Sequence, residues 1–322
     1  MRFPIVNACL AAIALATLGA APVGSPAPSL PAATGLNFHQ TAAELTASCD
    51  ASIATAKAAY AKIFAAPADK ATFATLQAIE TVGADFNDAT AVQGGLWELS
   101  PDAEVRKASF ACSQKVSDYN VEVGSDPRIY AVAQRVTTLG DAPIPAGAKL
   151  TEYYVIGGKR AGAGLDPETR KRTTALFQQL NDLELKFAQQ LESESTTIEI
   201  TTAEAKSLSP GFLTTLKKTA TGYTVPVDES TYGQFMISES SSATRKRFVQ
   251  AFANRGGIKN VQRLQDAVAV RDELAHLLGY PSWAAYQLDV KMAKTPERVE
   301  TLLNTVSEKL LPKAQSEIAA LT

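Results

Sequence analysis

Histidine is the residue type that most limits the chemistry open to this chain. The sequence of 322 residues contains only two histidines, His39 and His276. A zinc site of the His-Glu-x-x-His type needs two histidines one helical turn apart, with a glutamate between them as general base. Neither histidine has a second one nearby, so we expect each to be a structural or surface residue. The sequence therefore predicts no catalytic residue and no metal ligand in this chain.

The first residues have the pattern of a secretory signal peptide. A positive charge at Arg2 precedes an apolar run from Ile5 to Leu18, which is followed by small residues. The run is too short for an uncleaved transmembrane helix. We expect a signal peptide over 1–21, a flexible Pro/Ala-rich tether over 22–40, and an exported mature chain.

Cysteine usage favours one disulfide bond. Signal cleavage would remove Cys9 and leave Cys49 and Cys112. These two cysteines are too far apart in sequence and too few to form a closed zinc site. Two cysteines in an exported protein usually pair, so the sequence predicts a bond between Cys49 and Cys112, with two small buried thiols as the alternative.

A glycine-rich run over 157–164 has the composition of a phosphate-binding loop but lacks its spacing. Lys159 is followed by Arg160, whereas a P-loop places Ser or Thr after the lysine. No strong strand precedes the run. We therefore expect a turn between two helices.

The remaining polar clusters lack the partners that their chemistry would need. The basic triplets 170–172 and 245–247 lie on predicted helices, where solvated faces are expected. The serines in 238–242 have no Gly-x-Ser-x-Gly elbow around them, so we interpret them as a surface loop.

Composition and periodicity predict an all-α fold. Apolar residues make up 46% of the chain, and alanine and other good helix formers are abundant. Apolar residues recur every three or four positions in most segments, whereas the β-branched stretches near 196–200 and 223–227 predict short extended arms. Helices are predicted over 42–64, 70–87, 100–121, from 126, over 166–191, 243–254 and 261–278, and from 296.

The balance of charges gives no general reason for binding a polyanion. Lys and Arg number 31 and Asp and Glu number 33, for a net charge of −2. We therefore expect neither a nucleic-acid partner nor a membrane partner after signal cleavage.

The segments Leu274–Tyr286 and Lys291–Pro296 resemble the thimet oligopeptidase, neurolysin and oligopeptidase A family. Members have a helix ending in Leu-Leu-Gly-Tyr or Leu-Leu-Gly-Phe, then Ala-x-Tyr, then Met-Ala-Lys-Thr before the next helix. Gly279 ends one helix here, and Thr295-Pro296 begins the next. Further segments resemble the family in the same order, so the resemblance runs from about residue 40 to residue 322. These segments are 100–122, 159–191, 208–227 and 244–252.

The resemblance implies a zinc metalloendopeptidase that hydrolyses short peptides. Such enzymes are all-helical, with two halves around a deep channel and zinc at its floor. Residues 41–322 would be the N-terminal half, ending inside an unfinished helical pattern before the zinc-binding region. Zinc and peptide substrates would then belong to the complete, periplasmic enzyme, and this chain alone would bind no zinc and be inactive.

Two other functions remain as alternatives. The chain could be a non-catalytic exported helical module that binds peptides or a partner chain. It could also be an unrelated hydrolase that uses its serines.

Overall fold

The computed structural model describes residues 36–142 and 145–321, and within them the predicted all-α fold is confirmed. The predicted signal peptide and most of the tether lie outside the described residues. Twelve α-helices and three short strands make up the described part. The helices are α1 Ala42–Ile63, α2 Phe73–Leu99, α3 Ala103–Gly124, α4 Pro127–Leu139, α5 Pro145–Arg160, α6 Pro167–Glu192, α7 Pro210–Leu213, α8 Glu229–Ser238, α9 Ser242–Ala253, α10 Gly257–Leu277, α11 Trp283–Leu288 and α12 Pro296–Leu321; the strands are β1 Thr197–Thr201, β2 Lys217–Lys218 and β3 Gly222–Pro226.

Helices α1 to α5 pack around one apolar core. Helix α1 begins with a capping box, in which Thr41 and Glu44 satisfy each other's backbone N–H groups. Helices α1, α2 and α3 contact one another, and α4 packs against both α2 and α5. Their buried side chains form a continuous cluster. Its largest members include Tyr60, Phe73, Leu76, Ile79, Phe86, Tyr119 and Val136.

A second core forms where α6 packs against α10. Leu176 and Leu180 of α6 meet Val270 and Leu274 of α10, and all four side chains are buried. Helix α6 also contacts α3, so it joins this pair to the first bundle.

The β-branched segments form a small antiparallel sheet of order β1-β3-β2. Ile200 lies opposite Tyr223 in the β1–β3 register, and Lys218 of β2 pairs with the same residue from the other side. The sheet covers a core built around Phe235 and Phe248, which are fully buried with ring centroids 4.6 Å apart. The two predicted extended arms are therefore confirmed to within one residue.

Several helix boundaries differ from the sequence prediction because small residues pack closely. Helix α2 continues to Leu99 rather than stopping near residue 87. At its end α3 approaches so closely that Ser109 Oγ donates to the Gln93 carbonyl and Ser113 Oγ to the Gly94 carbonyl, at 2.6 Å and 2.8 Å. Helices α5 and α8 were not predicted, since glycine and β-branched residues weaken their helical pattern.

Helix α12 lies against very little of the protein. It begins beside α11, and every side chain from Glu300 to Leu321 is exposed. The predicted helix from residue 296 is confirmed, although its apolar residues are not buried. Among the described residues, none of the helices combines the length and the apolar character needed to cross a membrane.

Candidate functional site

The two histidines lie in unrelated places, as their separation in sequence suggested. His276 is on the exposed side of α10, where its Nδ1 lies 2.8 Å from the Asp272 carbonyl oxygen of the preceding turn. His39 is an exposed residue before α1. This arrangement provides no pair of imidazoles for a metal.

The predicted cysteine pair lies at the contact between α1 and α3. Cys49 and Cys112 are both buried, their Cα atoms are 6.0 Å apart, and the structure joins them by a disulfide bond. Leu45 and Val105 pack around the bond. The pair therefore links two helices and offers no free thiolate as a nucleophile.

The glycine-rich run is a helix end and a turn, and the phosphate-loop interpretation stays excluded. Helix α5 continues to Arg160, and the chain then turns before Asp166 caps α6. Gly158 lies against the ring of Tyr130, where an added Cβ would come within 2.6 Å of a ring carbon. The glycines thus permit close packing of α4 against this segment.

The basic triplets hold elements together as well as facing solvent. Arg172 makes a two-pronged ion pair with Glu273 of α10, at 2.7 Å and 2.8 Å. Arg247 of α9 lies 2.6 Å from a carboxylate oxygen of Glu204. Both arginines remain about half exposed, in agreement with the predicted solvated faces.

The serine-rich segment caps a helix and has no nucleophile geometry. Ser241 Oγ accepts from the Thr244 N–H at the start of α9. Glu239 in the same segment is buried, and its carboxylate accepts from the Ser241 N–H at 2.7 Å. Arg245 donates to the Glu239 carbonyl oxygen. These bonds fix the bend between α8 and α9, and they use the Ser241 hydroxyl as a helix cap.

A hydrogen-bonded polar cluster lies where the end of α5 meets α11. Arg160 is only 14% exposed in its side chain, and its guanidinium lies 3.9 Å from the ring centre of Tyr286. Arg160 Nη1 donates to the Tyr286 carbonyl oxygen at 2.6 Å, and the Tyr286 hydroxyl donates to the Arg160 carbonyl oxygen at 3.2 Å. Two segments 126 positions apart are therefore clamped together. We call Arg160, Tyr280, Tyr286 and Asp289 the arginine clamp.

The remaining members of the clamp restrain the guanidinium from outside. Asp289 lies 4.0 Å from Arg160 and accepts a 2.9 Å hydrogen bond from the Tyr280 hydroxyl. Burial raises the pKa of Tyr286, and burial together with the bond to Asp289 raises the pKa of Tyr280. The Tyr280 hydroxyl donates to Asp289 and the Tyr286 hydroxyl to the Arg160 carbonyl oxygen, so the clamp is suited to holding elements in place.

A cleft of about 300 Å³ between α3 and α6 is lined by two carboxyl groups, Asp118 and Asp182. Burial and the neighbouring Asp182 raise the pKa of Asp118. Asp182 is itself engaged by Gln114 at 3.0 Å and by Lys186 at 2.8 Å. A paired-carboxylate mechanism needs two available groups around a substrate, and here one of them is occupied.

Glu204 forms a cluster that the sequence analysis did not find. Its carboxylate accepts from the Thr201 N–H at 2.8 Å and from the buried Thr244 hydroxyl at 2.7 Å. With the ion pair to Arg247, these bonds join β1 to α9. The spacing Thr201-x-x-Glu204 is that of a capping box. This local pattern could have indicated the Glu204 cluster from the sequence.

Among the described residues, the structure is a mainly helical scaffold. Its hydrogen-bonded polar clusters hold the helices and strands in position. The comparisons with known proteins show what it is similar to. The model of peptidase family M3 matches residues 235–322. The chain is 29% identical over 224 residues to a probable thimet oligopeptidase of Arabidopsis thaliana, covering 69% of this chain and 32% of that protein. It is 28% identical over 237 residues to saccharolysin of Saccharomyces cerevisiae, covering 70% and 33%.

The resemblance predicted from the sequence is confirmed, because residues 235–322 match the model of peptidase family M3 and similar proteins include a probable thimet oligopeptidase and saccharolysin. It spans about a third of the length of the curated relatives it matches. The mitochondrial intermediate peptidase of Yarrowia lipolytica is also similar, with 29% identity over 228 residues, 69% of this chain and 29% of that protein.

These relatives contradict the predicted periplasmic location. They come from eukaryotes, and several are named as mitochondrial. The prediction rested on the apolar run near the N-terminus, which lies outside the described residues, and on an assumed habit of the family. The expectation of an exported, periplasmic protein was therefore wrong.

The residues of this chain do not fit the zinc ion that the family implies. No group of three or more His, Cys, Asp or Glu side chains that could hold a metal occurs in residues 36–142 and 145–321. The side chains that usually bind zinc lead to the same conclusion. The sequence has no two histidines close together, and the two described cysteines are bonded to each other. We therefore derive no reaction step through zinc from this chain.

Proposed function

We propose that this chain is the helical region of a zinc metallo-oligopeptidase that precedes the zinc-binding region. The observation that carries the proposal is the family match over residues 235–322, in a sequence that has no paired histidines. The similar proteins include one named as a thimet oligopeptidase, which supports peptides as the substrate class.

In this proposal the chain supplies structure and another region supplies the reaction. Helices α1 to α6 and α10 form a scaffold fixed by the disulfide bond and the arginine clamp. The zinc ligands and the general base would come from polypeptide outside the 322 residues. Hydrolysis of short peptides would then require both regions, and the chain alone would be inactive.

The reading frame of the transcript provides the first test. We expect transcripts that encode this chain to continue, in frame or after a frameshift, into a sequence with His-Glu-x-x-His. The longer product should bind one zinc per chain and cleave short peptides, and a chelator should abolish the cleavage. A transcript without such a sequence would contradict the proposal and favour a non-catalytic module that binds peptides or a partner chain.

A further inference from the structure

Helix α12 presents an apolar face that no part of the described chain covers. Residues three and four apart lie on the same side of an α-helix. Leu303, Val306 and Leu310 fall in this way on one side, with exposed fractions of 61%, 43% and 59%. The stripe widens and continues along the helix. Its other large members are Leu302, Leu311, Ile318 and Leu321.

A second exposed stripe lies on α10. The inner side of this helix packs on α6 through Ala267, Val270 and Leu274. On its outer side four large apolar residues are at least half exposed. They are Ile258, Val261, Leu264 and Val268.

Two exposed stripes of this size are unusual for a surface that stays in water, and they mark an interaction site. The charges on α12 argue against a lipid surface. The helix carries three basic residues and four acidic ones, whereas helices that lie on anionic membranes are rich in Lys and Arg. The basic residues are Arg298, Lys309 and Lys313, and the acidic ones are Glu297, Glu300, Glu308 and Glu317.

We infer that the apolar faces of α12 and α10 receive the zinc-bearing region of the M3 peptidase, an inference that rests on the proposed function. Both helices lie within residues 235–322, the part that matches the family model. The matched relatives contain about twice as much further polypeptide as the portion aligned with this chain. An apolar face in a segment typical of the family is therefore expected to be an interior surface of the longer protein.

The test compares two proteins, this 322-residue chain and the longer product of the same transcript. The variant L303E/L310E places two charges on the apolar stripe of α12. The control T301E/T305E adds the same charge on the side of the helix that faces away from Leu303 and Leu310. L303E/L310E should lower the melting temperature of the longer product by several degrees and leave that of the 322-residue chain unchanged, whereas the control should change neither.

Three results would overturn the inference, and they have different meanings. Equal shifts in both proteins, or none in either, would mean that α12 does not face the zinc-bearing region. A concentration-dependent dimer of the 322-residue chain, dissolved by L303E/L310E in light scattering, would make a second copy the occupant. Absence of any longer product would reject the proposed function itself.

Discussion

At the scale of single residues, the bonded polar groups act by fixing the distance between elements. Arg160 and Glu204 each contact a segment distant in sequence, and each has at least two partners. Gly158 also fixes the distance between two helices. Because it has no side chain, α5 can pack directly against the Tyr130 ring of α4. Substitution of these residues should therefore change the free energy of unfolding, in a direction that follows from their contacts.

Glu204 provides a pH-dependent prediction. Its hydrogen bonds from Thr201 and Thr244 lower its pKa from 4.5 to about 2. A lowered pKa in the folded state gives stability that is present above pH 4.5 and is lost as the pH falls towards 2. Glu204→Gln should therefore reduce the free energy of unfolding by about 1–2 kcal/mol at pH 7.

The measurement is urea unfolding of both proteins over a range of pH. The difference between wild type and E204Q should shrink as the pH falls from 4.5 towards 2. A difference that is constant over this range would mean that the charge of Glu204 is not responsible.

Gly158 and Gly157 form a matched pair on one helix. An alanine at 158 would place its Cβ 2.6 Å from the Tyr130 ring, whereas at 157 no atom lies within 4 Å. Gly158→Ala should destabilise the protein by about 1–3 kcal/mol because the packed ring must move. Gly157→Ala should stabilise it by about 0.5–1 kcal/mol through helix propensity. Urea unfolding would measure both, and a stabilising G158A would show that Tyr130 is free to move.

At the scale of elements, the helices differ greatly in how well they are held. Helices α1 and α3 share a core and a disulfide bond, and α6 is packed by α3 and α10. The side chains of α12 are exposed from Glu300 to Leu321. Isolated helices are marginally stable in water, so we expect α12 to be held less firmly than α6.

The disulfide between α1 and α3 is tested by counting thiols. In a Cys9→Ser background, the denatured and unreduced chain should contain no free thiol. Closing a loop across 63 positions stabilises by roughly 4 kcal/mol in the chain-entropy model, so reduction should lower the urea midpoint clearly. Finding two free thiols per chain would instead support the alternative of two buried cysteines.

Hydrogen exchange tests the order of α12. Amides of α12 should exchange much faster than those of α6, because local opening of α12 exposes little additional apolar surface. The experiment requires a monodisperse monomer. Equal protection of the two helices in such a sample would mean that α12 is stable without a partner.

At the scale of the whole molecule, the described residues form four apolar clusters, and no group among them could hold a metal ion. This arrangement leads to a prediction about the purified 322-residue chain. It should bind no stoichiometric zinc by metal analysis and cleave no short peptide. One tightly bound zinc per chain, with cleavage that a chelator abolishes, would overturn both this prediction and the proposed role of a second region.

The sequence by itself determined the fold class, most of the helix starts and the resemblance to peptidase family M3. Caps such as Asp126-Pro127 and Asp166-Pro167 act within one turn, so they can be identified without knowing what the helix packs against. The ordered motifs over 274–296 indicated the family resemblance. They consist of neighbouring residues, so they too can be recognised without knowing the tertiary structure. The missing pair of histidines is also a property of the sequence alone.

Only the tertiary structure decided which distant residues meet and which apolar faces are covered. The partnership of Arg160 with Tyr286 depends on how α5 and α11 are brought together, which no local pattern specifies. Helices α6 and α12 have similar apolar stripes in the sequence, yet Leu176 is buried and Leu303 is exposed. An apolar stripe shows that a helix can bury one face, but burial itself requires a neighbouring element. Helix α6 has α10 along its stripe, whereas α12 meets only α11 at its start and is exposed from Glu300 to Leu321.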